Sequence, residues 1–401
     1  MDWNAKLPAE EGVHRAWEYT TKVLLDSRTD QLYDFPVDDV RECPLPEETA
    51  RSWPNPCGYG TGTEDAMIHA GTMLDACLCR YEMEGDQEAG MVAHRLVAGM
   101  LRCAFSSDVK GFLPRGVMPA DGKSHYIDSS RDQYTLFVFG AFRYLHSAIC
   151  TEEERVGLTK ALTEIAQRAQ QNVVPEKNFD MLREDGGATL VNIMWGNSLG
   201  NHEYCRLPMI YLAAWDASKN EHWLMMYRKV REEAYRKSLP MSGYWHLYTL
   251  QQMQAALYVC READPDAGWH EKYEYLMNIV SEYILKDVRK LESALPNLRK
   301  MGDEHYDFRR LLFQKRNVCV WEGLPDFCPI YEGQTTKFLL QDVANIVIVT
   351  AMTPGCPPSE EAIELYAKAF SMVDLDKYKG PLPIHFLQGY YRARQLFQRK
   401  N

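Results

Sequence analysis

The fold is decided by residues 134–171, YTLFVFGAFRYLHSAICTEEERVGLTKALTEIAQRAQQ. The first half, up to Ile149, is apolar nearly all round, as is typical of a helix enclosed by other helices. The second half, from Glu152, is amphipathic with one charged face. Only Cys150 and Thr151 separate the halves, and Thr151 with Glu154 matches the S/T-x-x-E capping box that begins a helix. The stretch predicts an inner helix joined by a tight turn to an antiparallel outer helix.

The same pattern recurs on both sides of this stretch, because apolar residues repeat at helical spacing while strand-like alternation is rare and short. Twelve helices are predicted at about 11–30, 64–83, 87–106, 130–149, 152–171, 202–217, 219–238, 246–262, 268–287, 336–351, 359–373 and 385–397. Short links occur at 84–86, 150–151, 218, 263–267 and 353–358. Long links occur at 31–63, 107–129, 172–201, 239–245, 288–335 and 374–384.

Alternating short and long links predict an all-α protein in which six helical hairpins form an (α/α)6 toroid, with residues 1–401 as one domain. The helix after each long loop should be the inner member of its pair. The predicted inner ring is 64–83, 130–149, 202–217, 246–262, 336–351 and 385–397. The loops 31–63, 107–129, 172–201 and 288–335 should then share one rim.

The composition limits the function classes. The chain has 401 residues, 46% of them hydrophobic and 25% charged, with a formal net charge of −11. This charge disfavours nucleic acid or an anionic membrane as the partner, and favours a small molecule or an oligosaccharide. No run of about 18 apolar residues predicts a membrane span, and the N-terminus has no apolar signal-like region. Eleven scattered cysteines without a CxxC pair predict reduced thiols in a cytoplasmic protein. A homo-oligomer is compatible with the sequence.

Polar and aromatic residues crowd the predicted starts of the inner helices. These starts are GYGTGTED (58–65), HYIDSSRDQ (125–133), WGNSLGNHE (195–203), SGYWHLY (242–248), PIYEGQTTK (329–337) and PLPIHF (381–386). Aromatic faces stack on sugar rings while amides, carboxylates and guanidinium groups bond hydroxyls, so this mixture predicts a saccharide site. The candidate binding residues are Arg131, His125, Tyr126, Trp195, Asn201, His202, Trp245, His246 and Tyr331.

Six converging helix N-termini also favour a bound carboxylate, because each presents free N–H groups and the positive end of a dipole. A uronic acid would use this field. Arg131 could grip its carboxylate through two parallel hydrogen bonds, and His125 could add a switchable positive charge.

Glycoside cleavage needs two carboxyl groups across the scissile bond. The best candidates are Asp132, Glu64 and Asp65, with Asp128, Glu203 and Glu332 also on the predicted rim. The alternative is that these acids only cap helices. For Asp132, partial burial should raise the pKa while Arg131 and the helix dipole should lower it, and the balance decides whether Asp132 is the acid or the base.

Other chemistries have weaker signals. The glycines of GYGTG lack the preceding strand and the spacing of a dinucleotide site, and no GxSxG elbow is present. His69, His125, His202, His246 and His385 lie near inner helices but without metal-ligand spacing, so we predict neither a metal nor a cofactor.

GYGTGTED and HYIDSSRDQYT, together with GNHE, resemble the six-hairpin glycosidase-like superfamily, and specifically glycoside hydrolase family 154, which is associated with β-glucuronidase-type activity. The resemblance implies hydrolysis of a terminal glucuronic or unsaturated uronic acid. It also implies a general acid among Glu64, Asp65 and Asp132, with Arg131 near the uronate.

Two alternatives stay open. An oligosaccharide lyase on the same fold would abstract a proton with residues such as Tyr126, His125, Asn201, His202 or Tyr244. A non-catalytic sugar-binding toroid would keep the rim but lack the acid.

Overall fold

A computed structural model describes residues 3–34, 36, 57–58, 62–189, 191–239, 241, 246–297, 330–353 and 355–399, without the side chains of 4, 330–335 and 399. These residues hold thirteen α-helices. They are α1 Glu10–Tyr19, α2 Ala66–Glu84, α3 Gln87–Ala104, α4 Arg131–Leu145, α5 Glu152–Asn172, α6 Arg206–Ser218, α7 Glu221–Ser238, α8 Leu247–Ala263, α9 Ala267–Leu285, α10 Val288–Ala294, α11 Ile330–Ala351, α12 Glu360–Ser371 and α13 Leu382–Arg399.

All twelve predicted helices are confirmed, with shifted ends. The predicted first helix stops being α-helical at Tyr19 and continues as a π-helical turn, Thr20–Leu24. The predicted helix 202–217 begins at Arg206, because Asn201–Glu203 forms a separate 3₁₀ turn. Helix α10 lies within what was predicted to be the long loop 288–335. The described residues contain no β-strand, only two isolated bridges, and none of their helices is long and apolar enough to cross a bilayer.

Six helices form a closed inner ring in the order α2, α4, α6, α8, α11 and α13, because each packs on the next and α13 packs back on α2. The approach of α2 to α4 is close enough to require glycine. A Cβ at Gly71 would lie 2.0 Å from the Leu136 carbonyl oxygen, and one at Gly140 would lie 2.9 Å from the Gly71 Cα. This crossing fixes α2 and α4 side by side, and their N-terminal ends with them.

Five outer helices follow their inner partners through short links, as predicted: α3, α5, α7, α9 and α12. The sixth outer helix is α1, which packs on α13 at the other end of the chain. Trp17 of α1 meets Tyr391 of α13 edge to face at 6.0 Å, and the Arg80 guanidinium lies 4.2 Å from the Trp17 ring centroid. The ring is therefore closed by its two terminal helices and not by a sixth local hairpin.

A buried ion cluster crosses the ring axis below the N-terminal ends of the inner helices. Asp75 of α2 accepts hydrogen bonds from Arg143 Nε at 3.0 Å and Arg392 Nε at 2.7 Å, and Arg143 Nη1 reaches the Tyr258 hydroxyl at 3.3 Å. Burial raises the pKa of Asp75, but Arg392 and Arg143 outweigh burial and lower it. Ten helical residues separate Asp75 from Asp65, about 15 Å along α2. The cluster therefore lies inside the ring, about 15 Å below the rim at which the inner helices begin.

Candidate active site

The loops 31–63, 107–129 and 172–201 contact one another at one rim, as predicted, in the parts that the structure describes. Glu184, in the loop 172–201, accepts a hydrogen bond from His125 Nε2 at 3.1 Å, and its own amide donates to the Ile127 carbonyl at 2.9 Å. The Tyr33 hydroxyl bonds the Val117 carbonyl at 2.8 Å, which joins the start of the loop 31–63 to the loop 107–129. Most of the loop 288–335 lies outside the described residues.

Asp132 lies in the first turn of α4, and its Oδ1 accepts a hydrogen bond from Arg206 Nη1 at 2.5 Å. Arg206 begins α6, and its side chain is 2% exposed, whereas that of Asp132 is 29% exposed. Burial raises the pKa of the Asp132 carboxyl, but Arg206, assisted by Arg131 and a hydrogen bond from Gln252, outweighs burial and lowers it. Asp132 is therefore an ionised carboxylate at neutral pH.

Asp65 immediately precedes α2 on the same rim, and its pKa is shifted the other way. Burial raises the pKa of the Asp65 carboxyl, and the negative charge of Asp34 raises it further. Arg115 opposes both, but its Nη1 lies 3.6 Å from Asp65 Oδ1, too far for a hydrogen bond. Asp65 thus holds its proton more strongly than an ordinary aspartate.

The two carboxyls share neighbouring residues at the rim. Gln133 follows Asp132 in α4, and its Nε2 donates to Asp65 Oδ1 at 3.0 Å. Tyr248, in the first turn of α8, lies close enough to both acids that their charges add to the effect of burial and raise its pKa. The rim therefore holds a pair of carboxyls on neighbouring helices, one favouring its proton and the other ionised.

Helix capping does not explain the acids of the inner ring. Among the described helices, five outer ones begin with a side chain that bonds a backbone N–H of the first turn: Asp86, Thr151, Asn220, Asp266 and Ser359. Four inner ones begin with a residue whose side chain makes no such bond: Asp65, Ser130, Cys205 and His246. The polar side chains at the inner starts are thus left for contacts other than capping.

Glu64, the third predicted catalytic acid, is built into the turn before α2. Its Oε2 accepts the Gly62 amide at 2.8 Å. Its backbone oxygen accepts hydrogen bonds from Arg115 Nη1 at 3.2 Å and Gln133 Nε2 at 2.9 Å. Glu64 therefore shapes the loop that presents Asp65.

Arg131, the predicted uronate ligand, is already engaged by the protein. Its Nη2 lies 2.5 Å from Glu203 Oε1, and its Nη1 donates to the Ile193 carbonyl at 2.9 Å. Glu203 also accepts the Gly200 amide at 2.9 Å, and burial lowers the pKa of neighbouring His202 to about 4. The two parallel bonds expected between Arg131 and a ligand carboxylate would require Glu203 to be displaced.

Two further predicted ligands lie inside the packing of the loop 107–129. The His125 side chain has no exposed surface, and its ring nitrogens contact the Lys123 carbonyl at 2.9 Å and Glu184 Oε1 at 3.1 Å. The buried Tyr126 ring packs on Gly58, where a Cβ would lie 2.2 Å from it. Both side chains are enclosed by loop residues, so the switchable charge expected of His125 is not exposed at the rim.

The remaining predicted ligands divide between two parts of the rim. Asn201 Nδ2 donates to the Lys237 carbonyl at 2.8 Å, and partly buried Trp195 meets Tyr204 edge to face at 5.7 Å. His246 is exposed and stacks on Tyr248 at 5.9 Å, with Phe338 at 6.5 Å from its ring. These rings at the starts of α8 and α11 offer apolar faces of the kind that pack on sugars. Trp245 and Tyr244 lie outside the described residues, as do the side chains of Tyr331 and Glu332.

Comparisons with known proteins are limited to the fold level. No protein-family model matches the chain, and no curated protein matches it. Among solved structures, the chain is similar to the GH76A alpha-1,6-mannanase from Salegentibacter sp. HEL1_6, with 11% identity, a TM-score of 0.45, and coverage of 98% of this chain and 100% of that one. An inactive variant of the same mannanase in complex with alpha-1,6-mannotriose gives 11% identity, a TM-score of 0.45 and 99% coverage of each chain. The resemblance to glycoside hydrolase family 154 stays a prediction.

Several polar side chains just inside the rim were not assigned to the site from the sequence, although His69 and His385 were noted near inner helices. Each belongs to an inner helix, is at least nine-tenths buried, and carries an atom without a hydrogen-bond partner among the described residues. These atoms are His69 Nδ1, Gln133 Oε1, Arg206 Nε, Gln252 Oε1 and His385 Nδ1. The signal that they share is a polar side chain within the first two turns of an inner helix. Because buried polar atoms are normally satisfied, five unsatisfied atoms at one rim favour a polyhydroxylated ligand.

Proposed function

We propose that the protein is a glycoside hydrolase in which Asp65 is the general acid and Asp132 is the partner carboxylate. The observation that carries this proposal is that the two acids, on adjacent helices at one rim, have pKa values shifted in opposite directions. Glycosidases need one carboxyl protonated and the other ionised at the same pH. Since Arg206 outweighs burial at Asp132, the general acid is Asp65 and not Asp132.

The chemistry follows from these two protonation states. Asp65 donates its proton to the glycosidic oxygen as the bond from that oxygen to the anomeric carbon breaks, which releases the leaving group as an alcohol. Asp132 either removes a proton from a water that attacks the anomeric carbon, or attacks that carbon itself to form an ester that water then hydrolyses. The ion pair with Arg206 keeps Asp132 ionised for either step.

The proposed substrate carries a terminal glucuronic or unsaturated uronic acid. Two features support it: the inner helices direct their N-terminal ends to one rim, and the unsatisfied oxygens of Gln133 and Gln252 suit sugar hydroxyl donors. A lyase has less support. His125 and Tyr126 are buried in loop packing, and the raised pKa of Tyr248 makes that phenol a poor base.

The test measures release of 4-nitrophenol from a panel of α- and β-glycosides that includes glucuronides, glucosides and mannosides. A hydrolase should cleave at least one member, and Asp65→Asn and Asp132→Asn should each reduce kcat/KM about 10²–10⁴-fold. The matched control is Asp376→Asn, because Asp376 is an exposed acid that forms an ion pair with Arg15 of outer helix α1. An unsaturated product with new ultraviolet absorbance would instead identify a lyase, and turnover by both Asn variants at the control rate would refute the proposal.

A further inference from the structure

Lys337 is the rim cation with an available charge. Arg131 pairs with Glu203, and Arg206 pairs with Asp132. Lys337, in the N-terminal half of α11, makes no ion pair with any residue that the structure describes, although its charge acts on both Asp65 and His385. An ammonium beside a catalytic acid and without a carboxylate partner can bind an anionic group of a ligand.

His385 supplies a hydrogen-bond donor beside Lys337. Helix α13 packs on α11, and Gln341, one turn after Lys337, places its amide nitrogen 3.1 Å from His385 Nε2. Because that amide donates, Nε2 accepts, and the proton of the neutral ring is on Nδ1. His385 is 4% exposed, and Nδ1 has no partner in the described part of the chain. Burial, with His69 and Lys337 nearby, lowers the pKa of His385 to about 3, so the ring stays neutral.

His69 supplies a further buried polar atom from the next inner helix. Its Nε2 lies 3.0 Å from Asp34 Oδ1. His69 Nδ1 is then the ring nitrogen left to contact a ligand hydroxyl. It is buried, and no described residue donates to it.

We propose that Lys337, His385 and His69 form a subsite for the carboxylate and an adjacent hydroxyl of a hexuronic acid. The carboxylate accepts hydrogen bonds from the Lys337 ammonium and from His385 Nδ1–H, and the hydroxyl forms a hydrogen bond with His69 Nδ1. The subsite deepens the proposed function and rests on it. It lies on α11, α13 and α2, and Asp132 follows on α4, so the sugar carboxylate is placed on the side of Asp65 away from Asp132.

This placement couples substrate recognition to acid catalysis. In the free protein, Lys337 is one of the charges that lower the pKa of Asp65. A bound carboxylate neutralises Lys337, so the pKa of Asp65 rises further and the acid keeps its proton to higher pH. A neutral sugar leaves Lys337 unpaired and gives no such rise.

The test is calorimetric titration of the full chain with D-glucuronate, its methyl ester and D-glucose. Wild-type protein should bind glucuronate at least tenfold more tightly than the ester, because the ester lacks the charge. Lys337→Met should remove this preference while changing glucose binding less than twofold, and Lys337→Arg should retain most of it. Lys229→Met is the matched control, because Lys229 is exposed on outer helix α7.

The outcomes separate the subsite from the hydrolase. Equal binding of glucuronate and its ester, no binding of either, or equal loss of glucuronate and glucose binding in Lys337→Met would overturn the subsite, even if glycosides are cleaved. A preference for glucuronate that depends on Lys337 would support it. If that preference is found and no glycoside is cleaved, the subsite stands and the proposed hydrolysis fails.

Discussion

Replacing Asp132 by asparagine should cost both turnover and stability. The 2.5 Å contact joins Asp132 to an arginine that is 2% exposed, and removing one partner of such a buried pair costs about 3–5 kcal/mol. Asparagine keeps an acceptor for Arg206, and Asp132 is 29% exposed, so we expect a smaller loss of about 2 kcal/mol in the free energy of unfolding. This loss is roughly a 30-fold change in the folding equilibrium constant.

The pH dependence of that loss has a definite sign. The pKa of Asp132 is lower in the folded chain than in the unfolded chain. The ion pair therefore contributes its full stability above the unfolded pKa of about 3.9 and loses it as pH falls through the folded value. Asp65 behaves in the opposite way, because its raised pKa makes the folded state less stable as pH rises. Asp65→Asn should reduce turnover about 10²–10⁴-fold without lowering stability at pH 7.

Urea unfolding at pH 7 and at acidic pH, combined with turnover, tests the pair of predictions. We expect a lower midpoint for Asp132→Asn at pH 7, a difference that shrinks toward acidic pH, and a midpoint for Asp65→Asn at or above wild type at pH 7. The surface variant Asp376→Asn serves as the control. If Asp65→Asn is the destabilised variant and Asp132→Asn is not, the acid and base assignments are reversed.

Three further outcomes are expected. Arg206→Met should raise the pKa of Asp132 and move the acidic limb of the pH profile of kcat/KM to higher pH. If that limb does not move, Asp132 is not the base. Arg131→Lys should weaken glucose and glucuronate binding equally and lower the melting temperature, because Arg131 is paired with Glu203. A selective loss of glucuronate binding would instead identify Arg131 as the uronate ligand. Asp75→Asn should cost about 3–5 kcal/mol of stability without altering the pH profile of turnover; a shifted profile would show that the axial cluster acts on the site.

The helices could be predicted because each depends on periodicity within its own segment. Two features were not predicted: helix α10 and the pairing of α1 with α13. Neither can be recognised from the periodicity of a single segment. Helix α10, Val288–Ala294, has seven residues, which is too few to show a helical period. The pairing of α1 with α13 joins the two ends of the chain through contacts such as Trp17 with Tyr391, and no link length indicates it.

The sequence predicted that the candidate site residues lie at one rim, but it did not predict which of them form ion pairs with each other. Asp132 was expected to interact with Arg131 because they are adjacent in sequence. Consecutive residues of a helix point in different directions, so the two diverge. Arg131 pairs with Glu203, while Asp132 pairs with Arg206, 74 residues away on the next inner helix. Such a partner depends on how the ring packs, which a single sequence does not reveal.

The ring also explains why the two acids differ although both begin inner helices. Helix α6 places Arg206 against Asp132, whereas the loop before α2 places Asp34 against Asp65, with Asp34 Oδ2 accepting the Asp65 amide at 3.2 Å. One acid therefore gains a buried cation and the other gains a second anion. Exchanging these neighbours would exchange the protonation states, since both acids are subject to burial. The proposed division into acid and base thus rests on the residues beside the two carboxyls and not on the carboxyls themselves.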